Sequence, residues 1–231
     1  MSAVCAGISL HGGLRPFCAT FLVFADYLRP SLRVVSLMKQ PVIYVFTHDS
    51  IYVGEDGPTH QPIETMASLR AIPGVQAIRP GDPEESMQAW NMAYASKDHP
   101  VCMAFTRQAL AVYEKADKNW KENMATKGAY VVQDAANPDI TILASGSEVS
   151  LSIEAKEVLA KDNIDVRVVS MVSLDEFEKQ SKEYKESILP KNVRKRVAIE
   201  AGSDFGWGKY IGLDGKVVAI NRFGASAPAN L

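Results

Sequence analysis

The sequence predicts an α/β protein built as two parallel-sheet domains, and three observations carry that expectation. Short β-rich runs alternate with amphipathic or charged stretches along the chain, the order that gives strand–helix–strand units with right-handed crossovers. Residues 40–47 (QPVIYVFT) are almost continuously apolar, as expected of a strand buried on both faces. The alternation breaks once, in a charged stretch without a clean period over residues 111–127 and in Ala135-Ala136-Asn137-Pro138, and then restarts. Residues 1–127 are expected to form one domain, 128–137 a linker and 138–231 a second domain.

In chain order, residues 2–10 read as a helix end. Phe17, Phe21, Phe24 and Tyr27 recur every three or four residues and would make one aromatic stripe on a helix. Such a stripe is either core packing or a surface on which an aromatic ring can stack. The run 40–47 ends in a polar, Gly-rich loop over 48–62. A helix-like pattern follows, with Ile63, Met66, Ala67 and Ala71 apolar. A strand over 75–78 stops at Arg79-Pro80. Asp82 as N-cap, Pro83 at the first helical position and Glu84 and Glu85 in the first turn open a helix to about residue 96. Residues 100–105 read as a strand. In the second segment, strands are expected over 139–144, 165–170, 194–200 and 216–220, with a helix from Gly146-Ser147 to about residue 161. The charged stretch 176–186 reads as a helix with a solvated face.

The 231 residues include 25 basic and 27 acidic side chains, for a net charge of −2. That balance argues against nucleic-acid binding through phosphate neutralisation. With 47% apolar residues the chain has enough to fill a core, and disorder is excluded. Three cysteines, Cys5, Cys18 and Cys102, form neither a disulfide framework nor a metal motif, and fit a reducing, cytoplasmic setting. The N-terminus lacks the basic region of a signal peptide. The most apolar stretch, 17–28, is short and carries Asp26, so no membrane span is expected.

Ligands of open parallel sheets sit beyond the carboxyl ends of the strands, which directs attention to the loops after Thr47, Phe105, Ala144 and Glu200. The loop 48–61 is the densest polar cluster in the chain and holds His48, Asp56 and His60. Histidine can move protons near neutral pH or donate to phosphate. His48 and His60 stand twelve residues apart, which is no metal spacing. Arg107 could clamp an anion with its planar fork, or be a solvated surface arginine. The glycine loops at Gly146 and at 202–208 match no phosphate-loop pattern and read as structural. The residues alone go no further than an α/β protein with an anion-compatible loop cluster.

The segments THDSIYVGEDGPTHQPIE, LHGGLRPF, TFLVFADYLRP and SLRAIPGVQAIRP resemble transketolases, and so do ITILASGSEV, VRVVSMVSLDEFEKQS, VAIEAGSDFGWGKY and NRFGASAPANL further on. The resemblance covers essentially the whole chain. It implies thiamine diphosphate chemistry that moves a two-carbon ketol unit between sugar phosphates, in a dimer with magnesium or calcium. Residues 1 to about 127 resemble the later part of the pyrimidine-binding domain, and those from about 138 most of the C-terminal domain. By resemblance, Phe21, Phe24 and Tyr27 surround the aminopyrimidine ring. His48 and Arg107 hold the sugar phosphate, and Asp56 reads a substrate hydroxyl. His60 lies near the thiazolium carbon as a cofactor-binding and catalytic group. The family's Arg-Glu-His-Ala-Met segment would place its glutamate three residues before Met1, and the diphosphate- and metal-binding domain has no counterpart here. The first domain is thus expected to be truncated at its N-terminus, with an exposed sheet edge and no metal ligands. The chain is expected to need a complementing N-terminal transketolase portion, or else to be a non-catalytic binding or dimerisation module or a gene remnant.

Overall fold

The computed structural model describes residues 1–228. The first half runs α1 (Ser2–His11), β1 (Phe17–Phe21), a 3-10 turn (Leu22–Phe24), α2 (Ala25–Leu37), β2 (Ile43–Thr47), a 3-10 turn (Ile51–Asp56), α3 (Thr65–Arg70), β3 (Gln76–Ile78), α4 (Pro83–Ala95), β4 (Val101–Ala104) and α5 (Trp120–Lys127). Its four strands form a wholly parallel sheet in the order β1-β2-β4-β3. The second half runs β5 (Tyr130–Gln133), β6 (Ile140–Ala144), α6 (Glu148–Ala160), β7 (Val166–Ser170), α7 (Leu174–Glu178), α8 (Lys182–Ile188), β8 (Arg196–Ile199), α9 (Gly208–Ile211) and β9 (Lys216–Val218). Its sheet has the order β5-β7-β6-β8-β9. Two α/β units with a sheet each agree with the expected fold class.

Local chemistry explains several boundaries. Asp82 caps α4 by accepting from the Glu85 backbone N–H at 2.8 Å, with Pro83 at the first position, as expected. β2 lies between β1 and β4, and its residues Ile43, Tyr44 and Phe46 are buried. The three cysteines are buried free thiols of the first core. Burial, with Cys5 beside it, pushes the Cys18 thiol up to about 12, far from the reactive range. Among the described residues no helix is long and apolar enough to cross a membrane.

Some elements differ from expectation. Residues 128–137, expected as a linker, carry β5, which pairs antiparallel with β7, so the second sheet is mixed. The apolar run Ala129–Val132 is too short to show a period. Residues 111–127 contain α5, which buries Trp120 and Met124. The aromatic stripe is not on one helix, because Phe17 and Phe21 lie in β1, Phe24 ends a 3-10 turn and only Tyr27 is in α2. The charged stretch 176–186 is divided between α7 and α8.

A buried charge network joins the two sheets. Arg79 follows β3 and is 1% exposed. Its guanidinium donates to Asp49 Oδ2 at 2.8 Å and to the Ser145 carbonyl at 2.7 Å, and it pairs with Glu148. Gly146 permits this approach: its φ is +62°, and a Cβ there would fall 2.6 Å from Arg79 Cζ. Arg70 grips Glu200 with both terminal nitrogens at 2.8 Å, while Ser145 Oγ and Trp207 Nε1 donate to the same carboxylate at 2.6 and 2.9 Å. The Gly146 loop is thus packed by the Arg79 guanidinium, and in the 202–208 loop Trp207 is tied to Glu200. A further buried carboxylate, Glu85, stands apart from this network and accepts from the Gly81 N–H, Tyr113, Tyr130 and Ser170. Burial pushes its pKa up, against the pull of those donors.

Arg79→Met leaves Asp49 and Glu148 buried without their countercharge, and urea denaturation is expected to show a loss of about 3–5 kcal/mol. Burial would raise the Glu200 pKa, but Arg70, Arg79 and Ser145 hold it at about 2, below its ordinary 4.5. A depressed folded-state pKa stabilises above the unfolded value and stops doing so as pH falls through the folded one. The melting temperature is therefore expected to drop between about pH 4.5 and about pH 2. Glu200→Gln should show a shallower drop over that window. Glu85, with its raised pKa, acts in the opposite sense and does not account for that drop.

Candidate active site

Three neighbouring strand ends deliver the site. Phe21 ends β1 directly opposite Thr47 at the end of β2, and β4 lies on the other side of β2. His48 follows β2 with φ +59°, a left-handed conformation uncommon outside glycine. That turn lays its imidazole on the Phe21 ring, with centroids 3.7 Å apart and planes 17° from parallel. His48 Nδ1 lies 2.9 Å from Thr47 Oγ1. Asp49, the next residue, is fixed by Arg79, so the buried network also anchors the start of the loop 48–61.

The 3-10 turn after β1 brings Phe24 beside Phe21, with ring centroids 6.2 Å apart and planes 16° from parallel. Tyr27 continues the row at 5.9 Å from Phe24 and is 85% exposed, so its face is open to a ligand. The loop after β2 returns to this row. Ser50 caps the turn Ile51–Asp56 by accepting from the Tyr52 N–H. Gly54 and Gly57 take positive φ, and the Gly57 carbonyl accepts from the His60 N–H at 3.0 Å. His60 then meets Phe24 edge-on at 5.3 Å, and its Nδ1 lies 2.9 Å from Thr59 Oγ1. Aromatic faces, two imidazoles and an open tyrosine thus share one surface.

Charged groups stand at its rim. Asp56 and Arg107 are exposed and line one cleft of about 320 Å³ with Val53, Gly54, Glu55 and Pro228. Burial lowers the His48 pKa and the Arg107 charge lowers it further, against the pull of Asp56 and Asp49. The structure therefore brings all seven singled-out residues, Phe21, Phe24, Tyr27, His48, Asp56, His60 and Arg107, to one end of the first sheet. The set can stack a flat ring, bind an anion at Arg107, accept from a hydroxyl at Asp56 and donate or relay a proton through His60. Among the described residues no group of three or more His, Cys, Asp or Glu side chains could hold a metal ion. Sequence reading did not single out Arg79 or Asp49. The one signal for Arg79 was an arginine closing a buried apolar strand.

Residues 1–112 match the transketolase pyrimidine-binding domain family, and residues 128–231 match the transketolase-like C-terminal domain family. The chain belongs to the transketolase family. It is 57% identical to the transketolase of Bacillus subtilis (strain 168) over 230 residues, covering 99% of this chain and 34% of that protein. It is 51% identical to the Geobacillus stearothermophilus transketolase, with the same coverage of each chain. The solved transketolase from Leishmania mexicana superposes with a TM-score of 0.93 at 41% identity, over 99% of this chain and 33% of that one. A split-gene transketolase, described as an inactive β4 tetramer, shares the fold with a TM-score of 0.79 at 24% identity, over 99% of this chain and 73% of that one. The chain thus spans about a third of the length of its curated transketolase relatives.

Removing the Arg107 charge takes away one of the two causes that depress the His48 pKa. An NMR titration of Arg107→Ala is expected to move the His48 midpoint upward. An unchanged midpoint would show that the two groups do not share one field.

Proposed function

We propose that this chain is the aminopyrimidine-binding and sugar-phosphate-binding part of a transketolase that transfers a two-carbon ketol unit with thiamine diphosphate. The carrying observation is the convergence of the Phe21, Phe24 and Tyr27 rings with His60, beside the Arg107 and Asp56 cleft. The aromatic row fits the cofactor's ring: Tyr27 is open to stacking, and Phe21 and Phe24 are only partly buried. When bound, the cofactor supplies the nucleophilic carbon and the electron sink that ketol transfer needs.

The chain's own residues have separable tasks in this reading. Phe24 holds the flat ring, with Phe21 behind it and Tyr27 at the edge. Arg107 and His48 bind the phosphate end of the sugar, and a neutral His48 does so as a hydrogen-bond partner, not a second cation. Asp56 accepts from a substrate hydroxyl and so favours one configuration. His60 donates to the substrate's carbonyl oxygen as negative charge develops there and takes the proton back afterwards. The diphosphate and its magnesium or calcium ion are held by the remaining length of a transketolase, in one chain or as a complementing chain. The working assembly is a dimer.

Ketol transfer from a ketopentose phosphate to an aldopentose phosphate tests this. The 231-residue chain is mixed with the N-terminal portion of a transketolase, thiamine diphosphate and magnesium. Turnover is expected with both components and not with either alone. His60→Ala should lower it about 10²- to 10⁴-fold, the range for a lost general acid–base. Phe24→Ala should raise the cofactor concentration needed for half-activity. Silence of the mixture, with both components folded and associated, favours a non-catalytic binding module.

A further inference from the structure

The loop that carries Asp56 and His60 is fastened from the far end of the chain. The Gln61 side-chain nitrogen donates to the Ile51 and Gly54 carbonyls at 3.2 and 3.0 Å, within its own loop. It also donates to the Ala225 carbonyl at 3.1 Å, in the segment that follows β9. Ser226 Oγ donates to the Glu55 carbonyl at 2.5 Å, one residue before Asp56. The two segments are in close contact. A Cβ on Gly224 would fall 1.7 Å from Gln61 Oε1, and a Cβ on Gly57 would fall 3.1 Å from Ser226 Cβ.

Gln61 is 5% exposed, and its Oε1 has no hydrogen-bond partner. A buried carbonyl oxygen without a donor is costly. The side chain bears that cost in the one orientation that points its NH₂ at three backbone carbonyls, where the reverse orientation would set oxygen against oxygen. The Gly57 carbonyl accepts from both His60 N–H and Gln61 N–H, at 3.0 and 3.1 Å. The torsions that place His60 are therefore bounded by Gln61 on one side and by Gly57, seated on Ser226, on the other.

We propose that Gln61 is a positioning residue that, together with Ser226, clips the trailing segment of the second domain onto the loop bearing Asp56 and His60. The second domain thereby sets the geometry of the first domain's site. This assignment rests on the reading of Asp56 and His60 as substrate and cofactor contacts. A misplacement of the reacting groups by about 1 Å costs about 10²-fold in rate, so a clip of this kind has direct leverage on turnover.

The test uses the isotopically labelled 231-residue chain and two variants, Gln61→Leu and Gly224→Ala. The first removes the donor, and the second lifts the trailing segment away while leaving the loop sequence intact. Both are expected to shift the His60 imidazole signals and to speed amide exchange of residues 54–60 about tenfold, as local opening of a detached loop does. His99, which precedes β4 at the opposite end of the sheet, should not move. Ser226→Ala removes a single bond and should give a smaller change of the same sign, and it decides the matter if either larger change prevents folding. In the complemented enzyme Gln61→Leu and Gly224→Ala should lower kcat/KM about tenfold or more. Unchanged His60 signals and unchanged exchange in folded variants would overturn the clip. A wild-type complex without ketol transfer overturns the functional reading instead, and the two NMR readouts still decide the clip.

Discussion

One buried guanidinium sets the conditions for the rest of the molecule. Arg79 sits where the carboxyl ends of both sheets meet, and its charge must be answered there because water cannot reach it. Asp49 answers from the first domain, and Glu148 and the Ser145 carbonyl from the second. A charge cluster of this kind is a weak source of net stability, because desolvation offsets much of the attraction. It is a strong source of geometry, since any other arrangement leaves a charge buried and unpaired. The two sheets therefore meet in one register, and Asp49 is fixed next to His48.

The loop 48–61 inherits that constraint and adds its own. Its first residues are tied to Arg79 through Asp49, its middle is bent by Gly54 and Gly57, and its last residue, Gln61, ties back to the Gly54 carbonyl through its carboxamide. Between these anchors, His48 and His60 meet the same aromatic row from different sides. Among the described residues the second domain meets the loop directly at Ala225 and Ser226, and Ser145 reaches it through Arg79. A smaller domain that contributes none of the seven site residues still has a physical means of acting on them.

Much of the site was legible because it rests on strand ends. The buried strand β2 and the polar loop after it are visible as an apolar run followed by glycine, histidine and acid. The N-cap at Asp82 is likewise local chemistry, and it is found as expected. The aromatic row was seen as spacing but put on the wrong scaffold. Phe21 and Phe24 come together through a strand followed by a tight 3-10 turn, and a period of three to four residues does not distinguish that from a helix. The strand β5 is not legible in the sequence because four residues at a sheet edge carry too little pattern to separate from a linker.

The sequence by itself determined the alternation of strands and helices and the polar loop that follows β2, because each of these is written in neighbouring positions. The family resemblance was equally a property of the string of residues. Tertiary structure alone decided which distant residues answer one another. Arg79 and Glu148 are 69 positions apart, and Gln61 and Ala225 are 164 positions apart. No local propensity encodes such pairs, since their partners are chosen by the desolvation of a charge or an amide once both sheets are in place.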